Sequence, residues 1–185
     1  MTLRISSGFV AATIALAVAG GGAGAPASAQ AASLKSPKDR KPAPGFMLKD
    51  SDGRMVKLAD YRGRVVLLNF WATNCGPCKI EIPWFVEFER KFKDRGFAVL
   101  GVSLDDEGWD IVKPFLSRFQ VNYRVLLGDE KVAAAYGGVD ALPTTFLIDR
   151  AGRIGTMHVG LVSRDVYQGD IVRLLERRAE LDIIK

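Results

Sequence analysis

The two cysteines of the chain, Cys75 and Cys78, stand two residues apart in "WATNCGPCKIEIP", Trp71 to Pro83, and Glu81 follows three residues after the second. Two thiols at this spacing can exchange with a disulfide on another molecule: one thiolate attacks, and the other resolves the mixed disulfide. They can also close a structural bridge, although so small a loop constrains the unfolded chain little. A closed four-ligand zinc site is not available from two cysteines and one histidine, His158. Covalent haem attachment needs a histidine directly after the second cysteine, where Lys79 stands.

The neighbouring sequence decides how the two sulfurs differ. "GRVVLLNFW", Gly63 to Trp71, is an almost unbroken apolar run that suits a strand covered on both faces. From Pro77 onward Ile80, Trp84, Phe85, Phe88 and Phe92 recur at helical spacing, with bases in the last turn, which predicts a helix to about Asp94. Cys75 therefore falls where strand turns into helix, facing unpaired N–H groups at the positive end of the helix dipole, a setting that lowers a thiol's pKa. Cys78, one turn further in, is expected to be more enclosed, so Cys75 attacks and Cys78 resolves. Pro77 is tolerated in the first turn and stiffens the loop. Lys79 reads as an exposed helix lysine. Glu81 lies on the Cys78 side of the helix. A dithiol that becomes a disulfide sheds two protons, and a partly buried carboxylate with a raised pKa could accept one. A solvated glutamate favouring the dipole is the other reading, and spacing alone does not separate them.

The remaining elements alternate. Phe46-Met47-Leu48 and Met55-Val56-Lys57-Leu58 flank Asp52-Gly53, a pattern for an opening β-hairpin. After the first helix, Phe97 to Leu104 reads as a second buried strand, Trp109 to Phe119 as a helix interrupted by Pro114, and Tyr123 to Leu127 as a strand. "DEKVAAAYG" gives a short helix, Thr144 to Asp149 and Arg153 to Val159 a strand pair across Ala151-Gly152, and a last helix follows, capped by Ser163 and running through Val166, Ile171, Leu174 and Leu175. The fold class is α/β: a central mixed sheet with helices on both faces, an N-terminal hairpin and two antiparallel closing strands.

Of the 185 residues, the first 29 combine a basic start at Arg4, an apolar run from Phe9 to Ala19 and an Ala27-Ser28-Ala29 end. That is a secretory signal pattern, or, if uncleaved, a membrane tether through residues 9–27. Residues 30–45 carry Lys35, Lys38, Arg40 and Lys41 against Asp39, among Pro37, Pro42 and Pro44, and read as a solvated linker. Residues 46–185 form the domain. The formal charge of +5 falls largely on the linker, so the domain is nearly neutral and a nucleic-acid-binding face is not expected.

"NFWATNCGPCKIEIP" together with "ALPTTFLIDRAGRI" resembles the thioredoxin superfamily, and within it the exported TlpA-like and ResA-like thiol:disulfide oxidoreductases. The resemblance covers Phe46 to about Leu181 and includes an inserted αβ element, for which Trp109 to Gly138 supplies the length. It implies a thioredoxin-like fold and three assignments: Cys75 as nucleophile with Cys78 as resolver, Pro143 as a cis-proline facing the dithiol with the Leu142 backbone pairing to an extended client segment, and Glu81 as a buried functional acid. Cytoplasmic thioredoxins carry aspartate where this chain has Asn69. Trp71, Asn74, Gly76, Pro77, Leu142 and Pro143 then form the client-binding set. Asn74 departs from the aromatic residue common before the first cysteine, and Gly76-Pro77 matches the dipeptide of reducing thioredoxins.

The implied activity is disulfide reduction in an exported client protein, such as an apocytochrome c or a copper-site protein, with resupply of electrons by a membrane thiol donor, in a periplasmic or other extracytoplasmic space. It calls for no cofactor and no metal. The alternative is a copper-binding assembly chaperone of related fold, with Cys75, Cys78 and His158 or Met157 as soft ligands. Relatives of that kind space their cysteines by three residues. A thiol peroxidase would share the architecture, but only Thr73 matches its cysteine motif.

Overall fold

A computed structural model describes residues 33–183, with backbone alone from 177; the signal pattern in residues 1–29 lies outside the described residues. Among the described residues no helix is long and apolar enough to cross a membrane.

The continuous apolar runs become the two innermost strands. β3 (Val65–Trp71) and β4 (Phe97–Ser103) are buried at every position, because each has neighbours on both edges and cover on both faces. They pair in parallel, Val65 opposite Phe97 through Trp71 opposite Ser103. β5 (Arg124–Leu127) joins β4 in parallel, and β6 (Thr144–Ile148) and β7 (Ile154–Val159) add the expected antiparallel strands, giving the order β5-β4-β3-β6-β7. The opening hairpin, β1 (Met47–Lys49) and β2 (Met55–Lys57), pairs Leu48 with Val56. It turns at Gly53, whose φ of 78° favours glycine, while Asp50 accepts the Asp52 and Arg54 N–H groups.

Alternation along the strands sorts the core into two layers. On one face Val65, Leu67, Phe97, Val99 and Leu147 meet α1 (Gly76–Phe92) and α4 (Arg164–Ile183). On the other, Val66, Leu68, Phe70, Leu100 and Phe146 meet the hairpin and α3 (Glu130–Ala135) through Val132 and Tyr136. Helices therefore lie on both faces, as expected. α2 (Trp109–Arg118), which carries Pro114 within it, packs with Trp71 and both cysteines at the carboxyl end of β3.

Two expectations change. The buried stripe of α1 is Cys78, Glu81, Ile82, Phe85, Phe88 and Phe92, so Ile80 faces outward at 49% exposure and Trp84 is only half-buried. As predicted, α1 runs unbroken through Pro83, which cannot donate to the Lys79 carbonyl and is tolerated on the exposed side. The described part of the 30–45 segment is not a solvated linker. Lys35 N–H donates to Gly155 O, Ile154 N–H to Lys41 O and Ala43 N–H to Gly152 O, while Leu34 packs on the α4 layer. Arg40 is buried and pairs with Asp149 at 3.1 Å, beside Arg153 at 3.3 Å. The physical reason is the edge of β7: its unpaired backbone takes up the preceding segment, and Asp149 neutralises the base that its composition seemed to commit to water.

Candidate functional site

Cys75 is the N-cap of α1. Its Sγ accepts the Cys78 backbone N–H at 3.2 Å, which satisfies one of the four donors that open a helix without intrahelical partners. Cys75 and Cys78 form a disulfide with Cα atoms 5.3 Å apart. Cys75 is 9% exposed and Cys78 1%, the asymmetry expected of an attacking and an enclosed sulfur. Pro77 sits in the first turn, and Gly76, Pro77 and Asn74 are exposed around Cys75.

The loop that presents Cys75 is tied to β4 by a residue that pattern reading missed. Asp105 accepts the Thr73 N–H at 2.9 Å and the Thr73 hydroxyl at 2.6 Å, and its other oxygen accepts the Ser103 hydroxyl at 2.8 Å. A serine and an aspartate two apart at the end of a buried strand was the available signal. Thr73 therefore gives its hydroxyl to Asp105, not to a cysteine.

The Leu142–Pro143 peptide is cis, in agreement with the resemblance, and directly precedes β6. Leu142 is half-buried and packs against the cluster that holds both cysteines; Pro143 is buried, with its carbonyl accepting from Gly160 N–H at 2.8 Å. Trp71 corrects one assignment: at 1% exposure it offers no surface to a client. Its position faces the helical layer, where Phe115 of α2 lies 4.9 Å away between ring centroids, and its indole leans over Gly101, where a Cβ would come within 3.0 Å of Nε1. Trp71 thus supports the site from within.

One turn along α1 from Cys78 a polar layer interrupts an otherwise apolar face. Register places Asn69 opposite Thr145, and Thr145 opposite His158, in a row across β3, β6 and β7. Glu81 from α1 and Tyr167 and Asp170 from α4 are buried with them. The Tyr167 hydroxyl donates to Glu81 Oε1 at 2.8 Å and lies 3.3 Å from Thr145 Oγ1, which accepts from Asn69 Nδ2 at 2.9 Å. His158 Nε2 is 3.0 Å from Asp170 Oδ2, and Asp170 Oδ1 accepts from Arg173 at 3.2 Å.

Glu81 is 0% exposed, and among the described residues its Oε2 has no hydrogen-bond partner. Burial raises its pKa to about 7, against the opposing effects of the Tyr167 hydroxyl and the Val162 backbone N–H. The solvated first-turn reading of Glu81 is thereby removed. Tyr167, Asp170 and the Asn69–Thr145 contact were not anticipated; the one available signal for Tyr167 was its place in the α4 stripe with Ile171 and Leu174, a pattern that equally describes a plain core residue.

The arrangement can carry disulfide exchange at Cys75 and proton uptake at Glu81, and known proteins share its framework. The AhpC/TSA family model matches residues 40–157. The thiol-disulfide oxidoreductase ResA of Bacillus subtilis is 35% identical over 146 residues, covering 78% of this chain and 80% of that protein. ResA of Bacillus anthracis is 34% identical over 136 residues, covering 72% and 77%. Among solved structures, a putative thiol:disulfide interchange protein DsbE from Chlorobium tepidum superposes with a TM-score of 0.68 at 37% identity, covering 74% of this chain and 96% of that one. A secreted thiol-disulfide isomerase from Corynebacterium glutamicum, at 24% identity and a TM-score of 0.72 over 77% and 90%, shares the fold.

Proposed function

The chain belongs to the AhpC/TSA family and is a thiol:disulfide oxidoreductase of thioredoxin-like fold, and from that premise we propose that it acts outside the cytoplasm as a reductase of disulfides in exported client proteins. The observation that carries this reading is an unequal dithiol with a buried acid one turn on: Cys75 at the helix start, Cys78 enclosed, and Glu81 next along the same buried stripe.

In the reduced protein the Cys75 thiolate attacks one sulfur of a client disulfide; the client S–S bond breaks, its other sulfur leaves as a thiolate, and a mixed disulfide with Cys75 remains. Cys78 gives up its proton, attacks Cys75 Sγ and releases the second client sulfur as a thiolate. A carboxylate whose pKa lies near 7 is matched to exchange that proton at neutral pH. Asn74, Gly76, Pro77 and Leu142 surround Cys75 as client contacts, with the Leu142 backbone available to an extended segment. Clients of the kind the resemblance implies are apocytochromes c or copper-site proteins, and a membrane thiol donor restores the dithiol. An exported compartment follows from the signal pattern of residues 1–29.

The copper-chaperone alternative fits less well. His158 is buried on Asp170, whereas Met157, its neighbour on β7, is exposed on the opposite face, so neither supports a ligand set with the cysteines.

The reduction potential of the full chain at pH 7, followed by tryptophan fluorescence in a defined thiol buffer, tests the direction. A value near or below about −270 mV supports a donor of electrons, and one near about −120 mV would make the protein an oxidant instead.

A further inference from the structure

The polar layer holds more than an acid. Tyr167 has one hydroxyl proton and two oxygens within reach, Glu81 Oε1 at 2.8 Å and Thr145 Oγ1 at 3.3 Å. The proton goes to the nearer and charge-bearing oxygen, since hydrogen bonds to ionised acceptors are the shorter and stronger ones. Thr145 Oγ1 already accepts from Asn69 Nδ2 at 2.9 Å. A hydroxyl carries one proton and two lone pairs, so the Thr145 proton is left to serve the 3.3 Å contact by donating to the Tyr167 oxygen. Every donor then points one way, from Asn69 through Thr145 and Tyr167 to Glu81 Oε1, and bonds aligned in this sense polarise one another.

We propose that the Tyr167 hydroxyl, at the head of this chain, is a positioning group for proton exchange at the dithiol: it holds Glu81 Oε1 and leaves Oε2 as the oxygen that exchanges the proton. The proposal rests on the reading of Glu81 as proton acceptor. Among the described residues Oε2 is buried without a hydrogen-bond partner, the Val162 backbone N–H acting on the carboxylate without bonding to Oε2, so the two oxygens are unequal before any proton arrives. The Tyr167 ring is fixed edge-on between Phe85 at 5.2 Å and His158 at 5.3 Å, and His158 is itself held by Asp170. Of the titratable groups around Glu81, Cys78 lies one turn back on α1, Tyr123 precedes β5, His158 is on β7 and Asp170 is on α4, paired with Arg173. Tyr167 is the one whose side chain bonds to the carboxylate.

In the resolving step, the Cys78 proton passes to Glu81 Oε2 and Cys78 Sγ forms its bond to Cys75 Sγ. The bond from Cys75 Sγ to the client sulfur breaks, and that sulfur leaves with the electron pair as a thiolate. The dithiol is thereby oxidised and the client disulfide reduced.

The test compares wild type, Tyr167→Phe, Thr145→Val, Glu81→Gln and the Tyr167→Phe/Glu81→Gln pair in the full chain. Two readouts serve: the Glu81 carboxyl titration by side-chain carbon NMR in the oxidised form, and the pH profile of thiol alkylation in the reduced form. Loss of one hydrogen bond to a charged group raises the Glu81 titration by about 1–2 pH units in Tyr167→Phe, and by less in Thr145→Val. In the alkylation profile Tyr167→Phe moves the inflection that Glu81→Gln removes, and adds nothing on the Glu81→Gln background. A Glu81 titration unmoved in Tyr167→Phe overturns the proposal, and so does an equal profile change on the Glu81→Gln background, which would mark Tyr167 as packing alone. An alkylation profile unaltered by Glu81→Gln overturns instead the reading of Glu81 beneath it. Thr145→Val, which touches neither the carboxylate nor the dithiol, carries the test if Tyr167→Phe does not fold.

Discussion

Replacing Glu81 by glutamine should change how stability depends on pH, in a direction that the burial of this residue dictates. The Glu81 pKa is raised from 4.5 to about 7 in the folded oxidised protein. Between those values the native state keeps a proton that the unfolded chain has released, so stability falls as pH rises through this window. The contribution of Glu81 is fully present below pH about 4.5 and lost once pH exceeds about 7. A displacement of this size corresponds to roughly 3 kcal/mol in total, of which about 2.5 kcal/mol falls between pH 5 and pH 8. Glutamine is neutral throughout and can still accept the Tyr167 hydroxyl. Urea unfolding of both proteins in the oxidised form at the two pH values isolates the term, because groups common to both cancel in the difference. With a urea slope of about 1–3 kcal/mol/M, the gap between the two midpoints should shift in favour of glutamine by roughly 0.8–2.5 M between pH 5 and pH 8. A gap independent of pH would refute the reasoning, and one that moved in favour of glutamate would mean that the buried carboxylate is stabilised as an anion by a donor set stronger than Tyr167 and Val162.

Three other perturbations bear on the site and its frame. Cys78→Ser, with Cys75 intact, should accumulate mixed disulfides with a model disulfide client on non-reducing gels, and trapping by Cys75→Ser instead would reverse the order of attack. Gly101→Ala places a Cβ 3.0 Å from Trp71 Nε1 and 3.3 Å from Tyr123 and Val125, which should destabilise the protein by about 1–3 kcal/mol and alter its tryptophan fluorescence; unchanged stability and emission would show that the indole has room to yield. Arg40→Ala removes the buried partner of Asp149 and should lower the unfolding free energy by about 2–4 kcal/mol, reduced from the full cost of a broken buried pair because Arg153 remains. A loss within about 0.5 kcal/mol, as for an ordinary surface change, would return residues 34–44 to the status of a tether.

What the sequence disclosed and what it concealed divide along a physical line. Buried strands announce themselves by composition: Val65–Trp71 and Phe97–Ser103 are apolar throughout because both faces are covered. The cysteine pair is legible because a CxxC at a strand-to-helix turn has few other uses. Ile80 misled because an apolar residue at helical spacing can sit at the rim of the stripe, and only packing decides which side of the rim it takes. Arg40 misled because its compensating charge is Asp149, more than a hundred positions away. Glu81 stood undecided for the same reason: its carboxylate is bonded by Tyr167, a residue on another element whose approach no local pattern encodes.

The identity of residue 69 gives the layer its direction. The amide there turns its Nδ2 donor to Thr145, and a donor in that place leaves Thr145 to pass its own proton toward Tyr167 and so toward Glu81. A carboxylate at the same place, as in cytoplasmic thioredoxins, would accept from Thr145 and reverse the chain, leaving Tyr167 to choose between two acceptors. It would also bring a second acid into one buried layer, where the two would titrate as a coupled pair and one would be held protonated by the other. With the acid on α1, three residues after Cys78, a neutral donor on the strand avoids that coupling. The asparagine at 69 and the glutamate at 81 are two halves of one arrangement, joined by hydroxyls that neither residue reaches alone.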